Sequence, residues 1–142
     1  MPRTYRSAVV NADAEAVWAA VRDFNGLSSW APQMPASVIE DGRPSDAVGC
    51  VRRFDGPDGS AIRERLLALS DLDRSYTYNM LEGPFPVTGY KATLRVSPVS
   101  DGRAFVEYFA TYDCDPAGVD QLEKTFGEHI FGACLGALTT KF

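Results

Sequence analysis

The chain has 142 residues, 45% of them hydrophobic and 23% charged, a length and balance that suit a single domain, residues 1–142, with a real core. Nineteen acidic against 14 basic residues leave a net charge of −5, and a pI near 4.8 argues against nucleic acid as a partner, because phosphate binding needs a basic stripe. Cys50, Cys114 and Cys134 are odd in number and widely separated, so neither a disulfide framework nor a CxxC metal pair is written here. The opening MPRTYRSAVV lacks the apolar stretch of a signal peptide, and no run of about 18 apolar residues could span a membrane. A soluble, cytoplasmic protein is expected.

In chain order, Thr4 to Val10 reads as a strand leading directly into NADAEAVWAAVRDF. There Asn11 or Asp13 can cap a helix whose apolar side is Ala14, Val17, Trp18, Val21 and Phe24. A short turn or helix around Leu27 to Trp30 stops at Pro32 and Pro35. Ala36 to Glu40 and Val48 to Phe54 look like a strand pair across DGRPSDAVG. Ser60 to Ser70, Ser75 to Glu82, Thr88 to Ser97 and Ala104 to Cys114 follow as long strands, separated by SDLD, GPFP and SDGR. From about Pro116 to Thr140 the period returns to that of a helix of about seven turns. Gly127, Gly132 and Gly136 lie inside it, each unfavourable by ~1 kcal/mol relative to alanine.

Period two divides the strands into faces. Tyr90, Ala92, Leu94 and Val96 oppose Lys91, Thr93, Arg95 and Ser97, and Tyr76, Tyr78 and Met80 oppose Ser75, Thr77 and Asn79. Six or seven strands with one apolar face need a cover, and only the terminal helix is long enough. Its Val119, Leu122, Phe126 and Ile130 would anchor one stretch. Further on, Gly132, Ala133, Gly136, Ala137 and Thr140 form a small-residue stripe that either admits another backbone closely or leaves volume open beneath the helix.

The segments NADAEAVWAAVRDFNGLSSWAP, IRERLLALSDLDRSYTYNMLEGPFPVTGYKATLRV and FVEYFATYD, in this order before a long last helix, resemble the START-like (SRPBCC) superfamily. That superfamily includes birch-pollen-allergen-like proteins, polyketide cyclases and aromatases, and plant abscisic-acid receptors; the bacterial polyketide-cyclase-like branch is the nearest match. The resemblance implies an α+β helix-grip fold: a curved antiparallel sheet of about seven strands around a long C-terminal helix, with two short helices after the first strand. It also implies an internal cavity for apolar, lipid-like or aromatic small molecules. One reaction does not follow, because such a fold hosts binders, carriers and enzymes alike.

Polar residues in that cavity would carry any chemistry. Glu64 shares a strand face with Ile62, Leu66 and Ala68, while Arg63 and Arg65 share theirs with Ala61, Leu67 and Leu69, and alternation leaves the inward face open. The resemblance points Glu64 inward, where desolvation would raise its pKa; the alternative is a salt-bridge partner for Arg63, Arg65 or Arg52. Glu107 poses the same question, since Phe105, Phe109 and Thr111 on its face and Val106, Tyr108, Ala110 and Tyr112 on the other are both largely apolar. Here too the resemblance points Glu107 inward, with Phe109 beside it, against a structural ion pair with Arg95 or Lys91. Glu64 and Glu107 are therefore the candidate catalytic pair.

Tyr76, Tyr78, Met80, Tyr90 and Ala92 on inward strand faces, Ile62 beside Glu64, and Phe126 and Ala133 on the helix are candidate ligand contacts. Trp30 either lines the entrance or plugs it. His129, the one histidine, lies near the small-residue stripe and adds a possible ligand or proton-transfer group. No GxSxG, HExxH or Gly-rich phosphate loop occurs, so no metal or cofactor is expected. Oligomeric state is not legible. The leading expectation is a binding or carrier protein for a small hydrophobic or aromatic molecule. The second is a cofactor-independent polyketide cyclase, aromatase or dehydratase, and the third an interaction module with a filled cavity.

Overall fold

The computed structural model describes all residues, 1–142. Seven antiparallel strands form one open sheet in the order β1-β7-β6-β5-β4-β3-β2. They are β1 (Arg3–Val10), β2 (Val38–Ile39), β3 (Val51–Asp55), β4 (Ala61–Ser70), β5 (Ser75–Glu82), β6 (Thr88–Pro98) and β7 (Ala104–Asp113). The register of β7 sets both of its neighbours: Tyr108 pairs with Leu94 on one side and Arg6 on the other. The expected strand Ala36 to Glu40 shortens to two residues because Pro35 precedes it and the chain turns at Glu40–Gly42, where Asp41 and Gly42 both take positive φ.

Helix α1 (Ala14–Val21) starts where the Asp13 carboxylate accepts a 2.7 Å hydrogen bond from the Ala16 amide, satisfying one free N–H of the first turn. It buries Ala14, Val17, Trp18 and Val21. The Trp18 indole N–H donates to Asp71 in the β4–β5 turn at 2.7 Å, which ties the helix to the sheet edge-on. Phe24 is fully buried after it, and α2 (Leu27–Trp30) presents Leu27 and Trp30 inward. No helix is long and apolar enough to cross a membrane.

The terminal helix is continuous but changes its winding. A 3-10 turn at Pro116–Gly118, capped by Asp115, leads into α3 (Val119–Glu123), then a π-wound stretch at Lys124–Gly132, then α4 (Ala133–Lys141). An unbroken α-helix would put Phe126 and Phe131 about 140° apart at 3.6 residues per turn. In the wider winding both are fully buried and their rings stack with centroids 6.4 Å apart.

Two of the glycines explain themselves at this point. A Cβ on Gly132 would stand 2.7 Å from the Gly127 carbonyl oxygen five residues back, and one on Gly127 would stand 2.5 Å from the Arg6 guanidinium. That guanidinium crosses from β1 to pair with Glu123 at 2.7 Å. Gly136 is different: nothing lies within 4 Å of its missing side chain. Together with Ala137 and Thr140 it faces an open groove beside Ser29, Trp30, Pro32 and Gln33. The small-residue stripe therefore does not hold volume open under the helix; its C-terminal part looks outward.

Candidate functional site

The concave face of the sheet and the π-wound stretch enclose a cavity of about 80 Å³. Its mouth is built from half-buried side chains, Met34 after α2, Ile62 on β4, Met80 on β5, Phe85 on the GPFP loop and Ile130 on the helix. Phe85 closes edge-to-face on Phe126, with centroids 5.0 Å apart. Leu27, Phe54 and Tyr90 add to the apolar wall.

The floor is polar. Arg52 on β3 is 1% exposed and Glu64 on β4 is 7% exposed, and they sit opposite one another because the two strands pair Arg52 with Glu64. The Arg52 Nε donates to Glu64 Oε1 at 2.8 Å and Nη1 donates to the Phe24 carbonyl at 2.9 Å. The rings of Phe24 and Tyr78 lie 4.1 and 4.6 Å from the guanidinium carbon, a favourable arrangement for a desolvated cation. Beside this pair, Tyr78 and Tyr108 share a hydroxyl–hydroxyl hydrogen bond of 2.6 Å.

Burial pushes the Glu64 carboxyl above its ordinary range, with the Arg52 charge and hydrogen bond pulling it part of the way back. Burial likewise raises Tyr78, Tyr90 and Tyr108 well above the usual phenol value, and Tyr76 to about 12. The phenols are therefore hydrogen-bond donors and acceptors at neutral pH and not bases. The fully enclosed polar side-chain atoms without a partner are Trp30 Nε1, the Tyr76 hydroxyl and Asn79 Oδ1. Glu64 Oε2 also lacks a protein partner, but it is not sealed off, and Glu64 lines the cavity.

Of the residues expected from sequence, Ile62, Glu64, Tyr78, Met80, Tyr90 and Phe126 line this space. Tyr76 and Ala92 are on the inward face but packed behind the wall; Tyr76 sits against Trp18 and Phe24. Trp30 is buried against the outer groove rather than the cavity, and Ala133 lies off it, its carbonyl accepting from Gln33. His129 is exposed, because the π winding turns Phe126, Ile130 and Phe131 inward instead.

Glu107 and Phe109 require correction. Both point to the convex face, where Glu107 accepts from the Tyr5 hydroxyl at 2.7 Å and approaches Arg95 at 3.6 Å, and Phe109 stacks on Tyr5. The pairing of β6 with β7 dictates this: Leu94 faces inward and opposes Tyr108, so Arg95 and Glu107 must face outward together. The two carboxylates do not share a cavity. Arg52 entered only as one of three possible salt-bridge partners of Glu64, and Tyr108 and the mouth residues Met34, Phe85 and Ile130 were not among the expected ligand contacts. The signals available were two adjacent arginines between apolar residues, VRRF, one of which alternation must turn inward, and a pairing of Glu107 with Arg95 that would turn Tyr108 inward.

A curved sheet gripping a terminal helix over a mostly apolar cavity defines a helix-grip fold. The family model described as "Polyketide cyclase / dehydrase and lipid transport" matches residues 1–142, and the chain belongs to that family. Among solved structures, a Thermobifida fusca protein is 33% identical over 99% of this chain and 93% of its own, with a TM-score of 0.92. The protein XoxI from Bacillus cereus is 31% identical over 100% of this chain and 96% of its own, with a TM-score of 0.86. Norcoclaurine synthase from Thalictrum flavum, in complex with dopamine and hydroxybenzaldehyde, shares the fold at 18% identity over 99% of this chain and 85% of its own, with a TM-score of 0.76. No curated protein matches the chain.

Proposed function

We propose that the protein binds a small hydrophobic or aromatic molecule in the cavity beneath the terminal helix. The observation that carries this reading is a buried ion pair and a hydroxyl pair on the floor of an otherwise apolar cavity. A buried ion pair is weak support for stability, since well-packed apolar residues commonly do as well or better. Its position on a cavity wall favours a role in orienting a ligand. Membership of a family described by cyclase, dehydrase and lipid-transport activities supports the same reading.

The cavity of about 80 Å³ is smaller than the ~150 Å³ space known to admit benzene and far below the ~300 Å³ at which drug-sized pockets begin. A ligand of more than one ring must therefore move the mouth side chains. Native mass spectrometry of the purified protein for a retained small molecule, followed by titration with 2-naphthol, tests the reading. Filling the space with Ile130→Trp should abolish naphthol binding while circular dichroism stays unchanged. Equal affinity in the filled and wild-type proteins would remove the cavity as the site.

A second reading is carried by Glu64 alone. A carboxyl held high by burial, with one oxygen on the cavity, is suited to move a proton during cyclisation or dehydration. Under that reading Glu64→Gln retains ligand affinity and loses turnover.

A further inference from the structure

We infer that the cavity selects ligands presenting a neutral hydroxyl, a phenol or an enol, to the free oxygen of Glu64, and that it rejects carboxylates. This rests on the cavity being a ligand site and specifies its chemistry.

The argument begins with the one cation in the space. An arginine facing a pocket usually signals an anionic ligand held by a fork of two N–H groups. Here the guanidinium's charge is already balanced: Nε bonds Glu64 Oε1, Nη1 bonds the Phe24 carbonyl, and the rings of Phe24 and Tyr78 lie against it, which leaves Nη2 as the nitrogen without a protein partner. Arg52 is only 1% exposed. A ligand carboxylate would either confront the Glu64 charge in a low-dielectric space or force a proton onto it, and both oppose binding.

The carboxylate has unsatisfied capacity of its own, as an acceptor. Glu64 Oε2 accepts nothing from the protein, and Glu64 lines the cavity with Tyr90 beside it. An apolar ring bearing an O–H satisfies the carboxyl oxygen with a charge-assisted hydrogen bond and buries its remaining surface on Phe54, Phe126 and Ile130. Arg52 then acts on specificity indirectly, by fixing the Glu64 rotamer and leaving Oε2 free.

Phenol, toluene and benzoate, matched in ring size, form the test, with affinities read by calorimetry or ligand-observed NMR. The expected ranking for the wild-type protein is phenol at least about ten-fold tighter than toluene, with benzoate showing no saturable binding. Glu64→Gln removes the negative charge, so benzoate should become the better ligand and phenol should lose its advantage over toluene. Wild-type binding of benzoate as tight as phenol overturns the inference, and so does toluene binding as tightly as phenol; either leaves the cavity a ligand site of another chemistry. Failure of all three probes overturns the cavity reading and this inference with it. If the variant does not fold, the wild-type ranking decides.

Discussion

The sheet carries the same four kinds of side chain twice, once on each face. On the concave side Arg52 and Glu64 meet at 2.8 Å with side chains 1% and 9% exposed, against Phe54 and Tyr78. On the convex side Arg95 and Glu107 approach to 3.6 Å with side chains 45% and 20% exposed, against Phe109 and Tyr5. The chemistry is alike and the surroundings are not. Water screens the outer cluster and shares in its hydrogen bonding, so its members are individually dispensable. The inner cluster has no such alternative, so each of its groups depends on the others and its leftover hydrogen-bonding capacity turns toward the cavity.

Removing one member from each cluster puts the contrast to a measurement, and the largest effect belongs inside. Arg52→Ala leaves Glu64 buried without its cation and should lower unfolding free energy by about 3–5 kcal/mol, read from urea titration. A loss no larger than that of Arg95→Ala would erase the distinction between the faces. Tyr108→Phe keeps the ring stacked on Phe131, 4.2 Å away, but strands the Tyr78 hydroxyl. The expected loss is about 1–3 kcal/mol, and thermal unfolding at fixed pH would show it.

Next in size is a pH effect. Burial raises the Glu64 carboxyl above its ordinary value of 4.5, so the folded state binds this proton more tightly than the unfolded state does. Its stabilising contribution is complete below pH 4.5 and fades as pH climbs through the raised value. The melting temperature of Glu64→Gln should therefore gain on that of the wild type as pH rises from acid to neutral. Parallel curves would mean that Arg52 fully offsets the desolvation. The smallest effect is expected for Glu107→Gln, within about 1 kcal/mol of wild type in the same urea assay. A larger loss would show that the convex cluster supports the edge between β1 and β7.

The strands, their order and the long closing helix were legible because each rests on local pattern: alternation in β5 and β6, the Asp13 cap, and prolines where elements stop. The cavity was only half legible. Strand β4 carries register shifts between Arg63 and Glu64 and between Leu66 and Ala68, so its inward position moves from Leu66 to Leu69 and simple alternation fails across it. In β7 both faces are apolar, the outer one because Phe105 and Phe109 cover the convex sheet, and only the cross-strand register resolves it. Arg52 was legible only as one of three possible partners of Glu64, for a different reason. A buried cation is recognisable only through partners 12 and 28 residues away, Glu64 and the Phe24 carbonyl. The glycines were read as a sign of either close approach or open space, and the structure has close approach at Gly127 and Gly132 and space at Gly136.

The π-wound stretch makes chain length, and not only residue identity, a variable that shapes the interior. Phe126 and Phe131 are buried side by side, with Phe126 on the cavity, because Lys124–Gly132 winds more slowly than the α-helical segments on either side. Deleting one residue there would draw the backbone back toward the tighter i−4 ladder and rotate everything beyond it by about 100°. The aromatic and aliphatic side chains offered to a ligand would be exchanged for others without altering a single strand. An insertion or deletion in this helix is thus a route by which one scaffold acquires a different interior in a single step.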